Sequence, residues 1–358
     1  MMSNYFGKLY RLTTFGESHG KAIGGIIEGC PAGLELDLDF IQIQLDRRRP
    51  SQSIITSQRN EIDKVEFLSG IFEGKTTGTP IGFIIYNLDS RSQDYDHLKD
   101  VYRSSHADFT YQSKYGIRDH RGGGRSSARE TACRVVAGSI AQKLLENQGI
   151  KIFAYVNAVS DIKMECSYKD IDLSLIDSNI VRCPDQEKAI SMVSEIKKMQ
   201  KEGDTVGGEI SAVAIGVPAG WGEPVFDKLH ADLAKSMLSI NAVKSFKYGF
   251  ENIDISSSRG SDVNDVVLDT EGRTSTNFSG GIQGGITNGN DIYCKISFKP
   301  VSTLMQKQNL LNKKGDKVEV EAKGRHDPCV VPRAVPIVES MMSLTLIDHY
   351  FRSKINKL

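Results

Sequence analysis

His120-Arg121-Gly122-Gly123-Gly124-Arg125-Ser126-Ser127-Ala128-Arg129-Glu130-Thr131 carries the chain from a long polar loop into a helix. Three consecutive glycines let the backbone bend sharply and bring its N–H groups close to a ligand. Ser127 and Glu130 make the Ser-x-x-Glu pattern of a capping box. Ala132, Val135, Val136, Ile140, Leu144 and Leu145 then recur at helical spacing, and Gly149 is a natural stop. A Gly-rich turn entering a helix N-terminus favours anions, because unpaired amides and the helix dipole both attract negative charge. Arg121, Arg125 and Arg129 add forked donors that suit phosphate or carboxylate. Two readings stand side by side: an anion site, or a structural turn flanked by solvated arginines. A P-loop is excluded, since no Lys follows the glycines, and their spacing does not fit G-x-G-x-x-G.

Upstream, Tyr10 to Gly20 leads into an apolar strand around Ile23–Ile27, with His19 between polar residues and glycines. A histidine there either exchanges a proton near neutral pH or is simply a loop residue bonded to backbone. The spacing predicts a short helix over 38–47 that stops at Arg47-Arg48-Arg49-Pro50. The three arginines read as a solvated helix end or as a clamp for a polyanionic small molecule, with Arg59 soon after. Residues 60–86 read as strands and turns, including Val65–Leu68 and Pro80–Tyr86. A polar connection over 87–127 follows, holding Arg91, Arg103, His106, Asp108, Tyr111, Tyr115 and Arg118. Its length and its aromatic and histidine content point to a binding loop.

Downstream, Lys151–Val159 is a strand candidate. A helix over 186–202 is capped by Asp185 and ended by Gly203, with Ile190, Val193, Ile196 and Met199 as its apolar face. Residues 208–216 alternate as a strand, and 226–240 form a helix with Leu229, Leu233 and Met237 on one side. The Ser/Gly/Asn/Thr-rich stretch 256–291 is either a loose loop or a backbone lining for a flat or phosphorylated ligand. Strands at Ile292–Phe298 and Lys317–Glu321 lead to Gly324-Arg325-His326-Asp327-Pro328-Cys329, which opens a last helix near Val335–Phe351. Arg325 and Asp327 read as an ordinary salt bridge and cap, or as a phosphate binder and an orienting carboxylate.

Bulk properties bound the function. Lys+Arg and Asp+Glu both number 45 in 358 residues, so no net charge draws the protein to nucleic acid or an anionic membrane. No stretch is long and apolar enough to span a bilayer, and the N-terminus lacks the apolar run of a signal peptide. The six cysteines are scattered without a C-x-x-C pair, as expected of reduced, packed thiols in a cytoplasm.

The blocks Gly16-Glu17-Ser18-His19-Gly20, Arg47-Arg48-Arg49-Pro50, Ser105-His106-Ala107-Asp108, Gly122–Thr131 and Gly324–Cys329 occur in this order. In identity and order they resemble the chorismate synthase family along nearly the whole chain. The resemblance implies a single domain over residues 1–358. Its fold would be α+β, a mixed α/β β-α-β sandwich with helices packed between antiparallel sheets, assembled as a homotetramer. It implies a carbon–oxygen lyase of the shikimate pathway. The substrate would be 5-enolpyruvylshikimate 3-phosphate, which loses phosphate by 1,4-anti elimination to give chorismate, with reduced FMN required. The flavin lends electron density to the allylic system as phosphate leaves, so the reaction has no net redox change.

By the same resemblance, His19 protonates the departing phosphate and His106 governs protonation at the flavin N1–C2 edge. Asp327 assists flavin N5 in taking the substrate proton. FMN contacts fall to Arg125, Ser126, Ser127, Asn241, Ala242, Gly284, Lys299, Pro300, Val301, Ser302, Thr303 and Arg325. Arg48, Arg49, Arg59, Arg103 and Arg129 are left for the anionic substrate, with Arg48 also matched to NADP. The chain departs from the family pattern in two places. Ser51 follows Pro50 where many members have Gly, and Ile54 stands where many have an Arg linked to NADP. The second departure predicts dependence on externally reduced FMN rather than on NADPH. The alternative functions are a phosphate-binding or kinase-like protein built on the Gly-Gly-Gly-Arg turn, and RNA binding through its Arg-Gly-Gly segment. The latter normally needs repeated units in a basic tail.

Overall fold

A computed structural model describes residues 4–56, 61–89, 98–321 and 326–356. The first half begins with strands β1 (Tyr5–Phe6), β2 (Arg11–Gly16) and β3 (Ala22–Glu28), followed by helix α1 (Leu38–Arg48). Four strands come next: β4 (Val65–Phe67), β5 (Ile71–Phe72), β6 (Lys75–Thr76) and β7 (Ile81–Tyr86). Helix α2 (Asp108–Tyr115) precedes the glycine turn, and α3 (Thr131–Glu146) follows it. The second half runs β8 (Lys151–Val159), β9 (Ile162–Lys163), α4 (Gln186–Glu202), β10 (Gly208–Ile215), α5 (Leu229–Leu238) and β11 (Val243–Tyr248). It continues with α6 (Gly260–Val263), the short strands β12 (Ile282–Gln283) and β13 (Ile286–Thr287), and β14 (Ile292–Phe298). A hairpin of β15 (Lys307–Leu311) and β16 (Lys317–Glu321) leads to α7 (Val331–Ser353).

Two five-stranded sheets, ordered β1-β2-β3-β7-β4 and β11-β14-β10-β8-β9, flank a layer made of α1, α3, α5 and α7, and among the described residues every strand pairing is antiparallel. Alternation sets the inner faces. Leu12, Ile23, Ile27, Phe83 and Ile85 point inward from the first sheet, and Ile152, Ala154, Ile210, Ala212 and Ile296 are buried in the second. Helix α3 packs towards the first sheet and α7 towards the second, with α1 and α5 alongside them. The helix layer between antiparallel sheets is therefore as the resemblance implies. Nearly all of α7 is buried, as a helix apolar on all sides requires. Its serines and threonine satisfy themselves on the preceding turn, as in Ser340 Oγ to Pro336 O at 2.6 Å. Among the described residues, no helix is long and apolar enough to cross a membrane. All six cysteines are free thiols, and burial pushes those of Cys133, Cys294 and Cys329 up to about 12.

The tightest helix crossing is between α3 and α7. A methyl group on Gly138 would run into the backbone and side chain of Ser340, closer than any van der Waals contact allows. Gly138→Ala is expected to cost about 1–3 kcal/mol by overpacking. Helix propensity alone would add about 1 kcal/mol of stability. A lowered denaturation midpoint therefore isolates the packing effect.

Several local expectations are corrected. Helix α4 begins and ends as anticipated, with Asp185 accepting from Lys188 N and Gly203 at φ 68°, but Ile190 is 72 % exposed. Ala189, Met192 and Ile196 are fully buried and Val193 and Met199 pack partly buried against the core as anticipated, so only Ile190 leaves the expected face, lying about a third of a turn round the helix from Ile196. The connection over 87–127 contains helix α2, which has no apolar stripe. Its anchor is the buried Asp108 at its start, so hydrophobic periodicity carried no signal. The capping box is half made. Ser127 Oγ accepts from Arg129 N at 3.3 Å, while the Glu130 carboxylate turns to Arg134 at 2.8 Å. A 3-10 turn, Ala128–Glu130, separates Ser127 from α3. The last helix starts at Val331, earlier than expected, because Pro332 sits in the first turn where no N–H is needed. The stretch 256–291 lines neither of the two cavities described next; Asp265 ties it down by accepting from Phe278 N and Ser279 N, both at 2.8 Å.

Candidate active site

The glycine turn divides two adjoining cavities. One, of about 610 Å³, holds His19 with Phe15, Tyr111 and Tyr115; the other, of about 400 Å³, holds His106, Asp327 and a wall of cations. Ala107, Gly123 and Ser126 belong to both walls, so the two imidazoles serve neighbouring spaces rather than unrelated surfaces.

The cations come from segments far apart in sequence. Arg48 arrives on the last turn of α1, Arg103 just before α2, Arg129 from the turn before α3, Lys299 from the end of β14 and Arg333 from the first turn of α7. Arg48 and Arg129 are not the solvated residues their neighbours suggested. Their side chains are 2 % and 3 % exposed, and both pair with Asp63, which is wholly buried. Burial works to raise the Asp63 carboxyl, but the charges of Arg48 and Arg129 overcome it and hold it below the ordinary range. Burial, with Arg333 and Arg129 nearby, pulls the Arg48 guanidinium down to about 10 against the opposing pull of Asp63. It stays charged at neutral pH.

Asp108 organises the facing wall. It accepts from Arg103 at 2.7 Å, pairs with the Arg118 guanidinium at 2.9 Å, and lies 3.1 Å from His106 Nδ1. Burial would raise its carboxyl, but hydrogen bonds from Arg103 and His106 outweigh this and hold it well below the usual carboxylate range. A carboxylate only accepts, so His106 Nδ1 is the donor to Asp108. His19 sits in the turn between β2 and β3, with Ser18 Oγ 3.0 Å from its Nδ1. Asn87 fixes that turn by donating to Glu17 O and Gly20 O, both at 2.9 Å, and its own Oδ1 accepts from Arg129 Nε at 2.8 Å. The His19 turn is thus connected through Asn87 and Arg129 to Asp63 and Arg48.

Two buried polar atoms on the cation wall have no partner: Arg48 Nε, a donor, and Asn241 Oδ1, an acceptor. Asn241 Nδ2 is used, donating to Ser126 O at 2.8 Å. The wall also holds Ser105 at φ 53° and Ala242 at φ 68°, left-handed backbone that non-glycine residues seldom adopt and that clusters at ligand sites. A flat ring offering an N–H and an anionic tail fits this donor and acceptor set, so the residues present suit a flavin phosphate. Pro300, Val301, Ser302 and Thr303 complete the rim, and Lys299 Nζ donates to Ser105 O at 3.1 Å and to Ser302 Oγ at 2.5 Å. Lys299 is shifted down by burial and by Lys244.

The other expected site residues divide between the cavity walls and positions outside them. Arg125 borders the His19 cavity, where it donates to Thr14 O and Gly16 O at 3.2 Å, so its guanidinium holds strand β2. Ser126 Oγ donates to Gly123 O at 2.6 Å, and Ser127 lines the His106 cavity. Arg49 pairs with Asp46 at 3.2 Å and lines neither cavity. Gly284 sits in the tight turn between β12 and β13, outside both walls of this chain. Arg59, Arg91 and Arg325 lie outside the described residues. Sequence reasoning missed Asp63, Arg333, Asn87 and Glu61, the last a carboxylate on the His106 cavity that accepts from Leu88 N at 3.1 Å. A lone Asp or Asn in a polar stretch carries no periodic signal, and Arg333 fell before the expected start of the last helix.

Comparisons with known proteins agree on one family. A profile described as chorismate synthase matches residues 10–351. Chorismate synthase of Christiangramia forsetii is 62 % identical over the full length of both chains. That of Flavobacterium psychrophilum is 58 % identical over 99 % of each. A crystal structure of chorismate synthase superposes with a TM-score of 0.76 at 29 % identity, covering 97 % of this chain and 93 % of that one. The kinase-like and RNA-binding alternatives find no favour there. The chain belongs to the chorismate synthase family.

Proposed function

We propose that the cation-walled cavity binds 5-enolpyruvylshikimate 3-phosphate beside reduced FMN and releases phosphate by 1,4-anti elimination, leaving chorismate. One observation supports this reading above others. Arg48, Arg103, Arg129, Arg333 and Lys299 meet on one cavity wall in a chain with no net charge. A phosphate and two carboxylates need such a local concentration, with forked donors to orient them. When bound, reduced FMN supplies electron density to the allylic system as the phosphate departs.

The chain's own residues bind, orient and move protons. Arg48 and Arg129, clamped on Asp63, present a fixed charge that needs no reorganisation when phosphate leaves. His19, on the adjoining cavity, is the general acid for the phosphate oxygen, which this reading seats at the shared wall of Ala107, Gly123 and Ser126, and is worth about 10² to 10⁴ in rate. His106, oriented by Asp108, would hold a proton beside a bound reduced flavin. Asp327 accepts from Arg333 and would assist in removing the ring proton of the substrate. Asn241, Ala242, Lys299, Ser302 and Thr303 hold the cofactor. In the same reading the enzyme is a cytoplasmic homotetramer, which the outward face of the first sheet supports: Phe15, Ile26 and Tyr86 are 41–49 % exposed there.

Under anaerobic conditions, substrate with chemically reduced FMN should give chorismate and phosphate in equal amounts. Oxidised FMN with NADPH should give almost none, since Ile54 offers no cationic contact. Robust FMN reduction by NADPH with the pure protein would overturn the second expectation, and absence of product with reduced FMN would overturn the first.

A further inference from the structure

Two cation-bearing segments of the cavity wall, the end of α1 and the start of α7, are tied together behind the cavity by one side chain. Arg182, outside both cavity walls, is 8 % exposed and is held at φ 60°, a left-handed conformation unusual for arginine. Its backbone is locked in place: Arg182 N donates to Asn179 O at 3.2 Å, and Arg182 O accepts from Val156 N at 2.9 Å. Its guanidinium fork then reaches both segments. Nη2 donates to Gln52 Oε1 at 2.7 Å, and Nη1 donates to Pro332 O at 2.5 Å. Nε donates to Asp177 Oδ1 at 2.9 Å.

Gln52 carries the connection onward. Its Nε2 donates to Arg47 O at 2.7 Å and Arg49 O at 2.6 Å, the carbonyls on either side of Arg48 at the helix end. Pro332 immediately precedes Arg333, whose Nε donates to Arg48 O at 3.0 Å. The charge of Arg182 is balanced locally. Asp177 also takes Arg47 Nε at 3.1 Å, and Arg47 pairs with Glu339 at 2.5 Å. The fork geometry, rather than the charge alone, makes the link, and a lysine cannot span both acceptors.

We propose that Arg182 is a positioning residue for substrate binding: through Gln52 and the Pro332 carbonyl it sets the spacing of Arg48 and Arg333 across the cavity. The inference rests on the cation-walled cavity being the substrate site. Small misplacements of binding groups carry large kinetic costs. With saturating reduced FMN, Arg182→Lys and Gln52→Ala are each expected to raise KM for 5-enolpyruvylshikimate 3-phosphate about tenfold, with kcat within about threefold of the parent. Because the two side chains form one strut, the double variant should be no worse than the more impaired single variant. Gln52 is only half-buried, so Gln52→Ala carries the test if Arg182→Lys does not fold. A KM within twofold of the parent in the folded variants overturns the proposal, whatever their melting points. So do a rise in one folded variant without the other and a double variant whose effects multiply. Arg333→Ala, measured alongside, separates the two levels. If it too keeps its KM, the cavity assignment falls rather than the strut.

Discussion

Replacing Asp63 with alanine is expected to destabilise the protein by about 3–5 kcal/mol, because it leaves two buried guanidiniums without their common counter-ion. Arg48 and Arg129 are almost fully enclosed, and each gives a nitrogen to a different oxygen of this carboxylate. Denaturant unfolding of Asp63→Ala measures the loss; a change under about 1 kcal/mol would mean water reaches the pair. The same pair gives a pH signature. Because the folded carboxyl lies below its ordinary value of 3.8, its contribution is complete above that value. It is lost as pH falls through the lower folded value. Asp63→Ala should therefore remove part of the acid dependence of stability below the ordinary carboxylate range and leave the dependence near neutral pH unchanged.

Gly122→Ala is the variant expected to cost most activity for least change in fold. Its added methyl would collide with the His19 imidazole and Ser18 Oγ, and the backbone there is compatible with alanine. The imidazole is the softer partner, so it is the group that moves. Turnover should fall about 10² to 10⁴-fold, as when a general acid is displaced. His19→Ala should give a similar fall, and the double variant little more, since both remove one function. The check is kcat with reduced FMN, together with a thermal midpoint. A Gly122→Ala enzyme with near-parent kcat would separate His19 from the chemistry.

Much of this molecule was legible in one dimension. Strands Lys151–Val159 and Ile292–Phe298 and helix Gln186–Glu202 lie where alternation, spacing and caps put them. Periodicity is a local property, so it survives without knowledge of neighbours. The polar residues were harder to read. Arg47, Arg48 and Arg49 are identical in type and adjacent, yet one pairs with Glu339 and Asp177, one with Asp63 and one with Asp46. Nothing in the triplet distinguishes them. Their fates follow from what the fold sets beside each: Glu339 of α7 and Asp177 for Arg47, Asp63 for Arg48, and only the local Asp46 for Arg49.

Apolar patterning placed most strands and helices, and the order of the motif blocks determined the family and, through that resemblance, the layered α+β architecture and the candidate histidines and arginines. Only tertiary structure decided which cations share a wall, that Asp63 and Asp108 hold them, that Arg125 braces a strand, and that His19 and His106 occupy adjoining spaces. The physical reason is range. Apolar periodicity records which side of an element is dry, and adjacent residues suffice for that. A buried charge is settled by whichever opposite charge the fold brings within a few ångströms, and here that partner is commonly tens to hundreds of residues away.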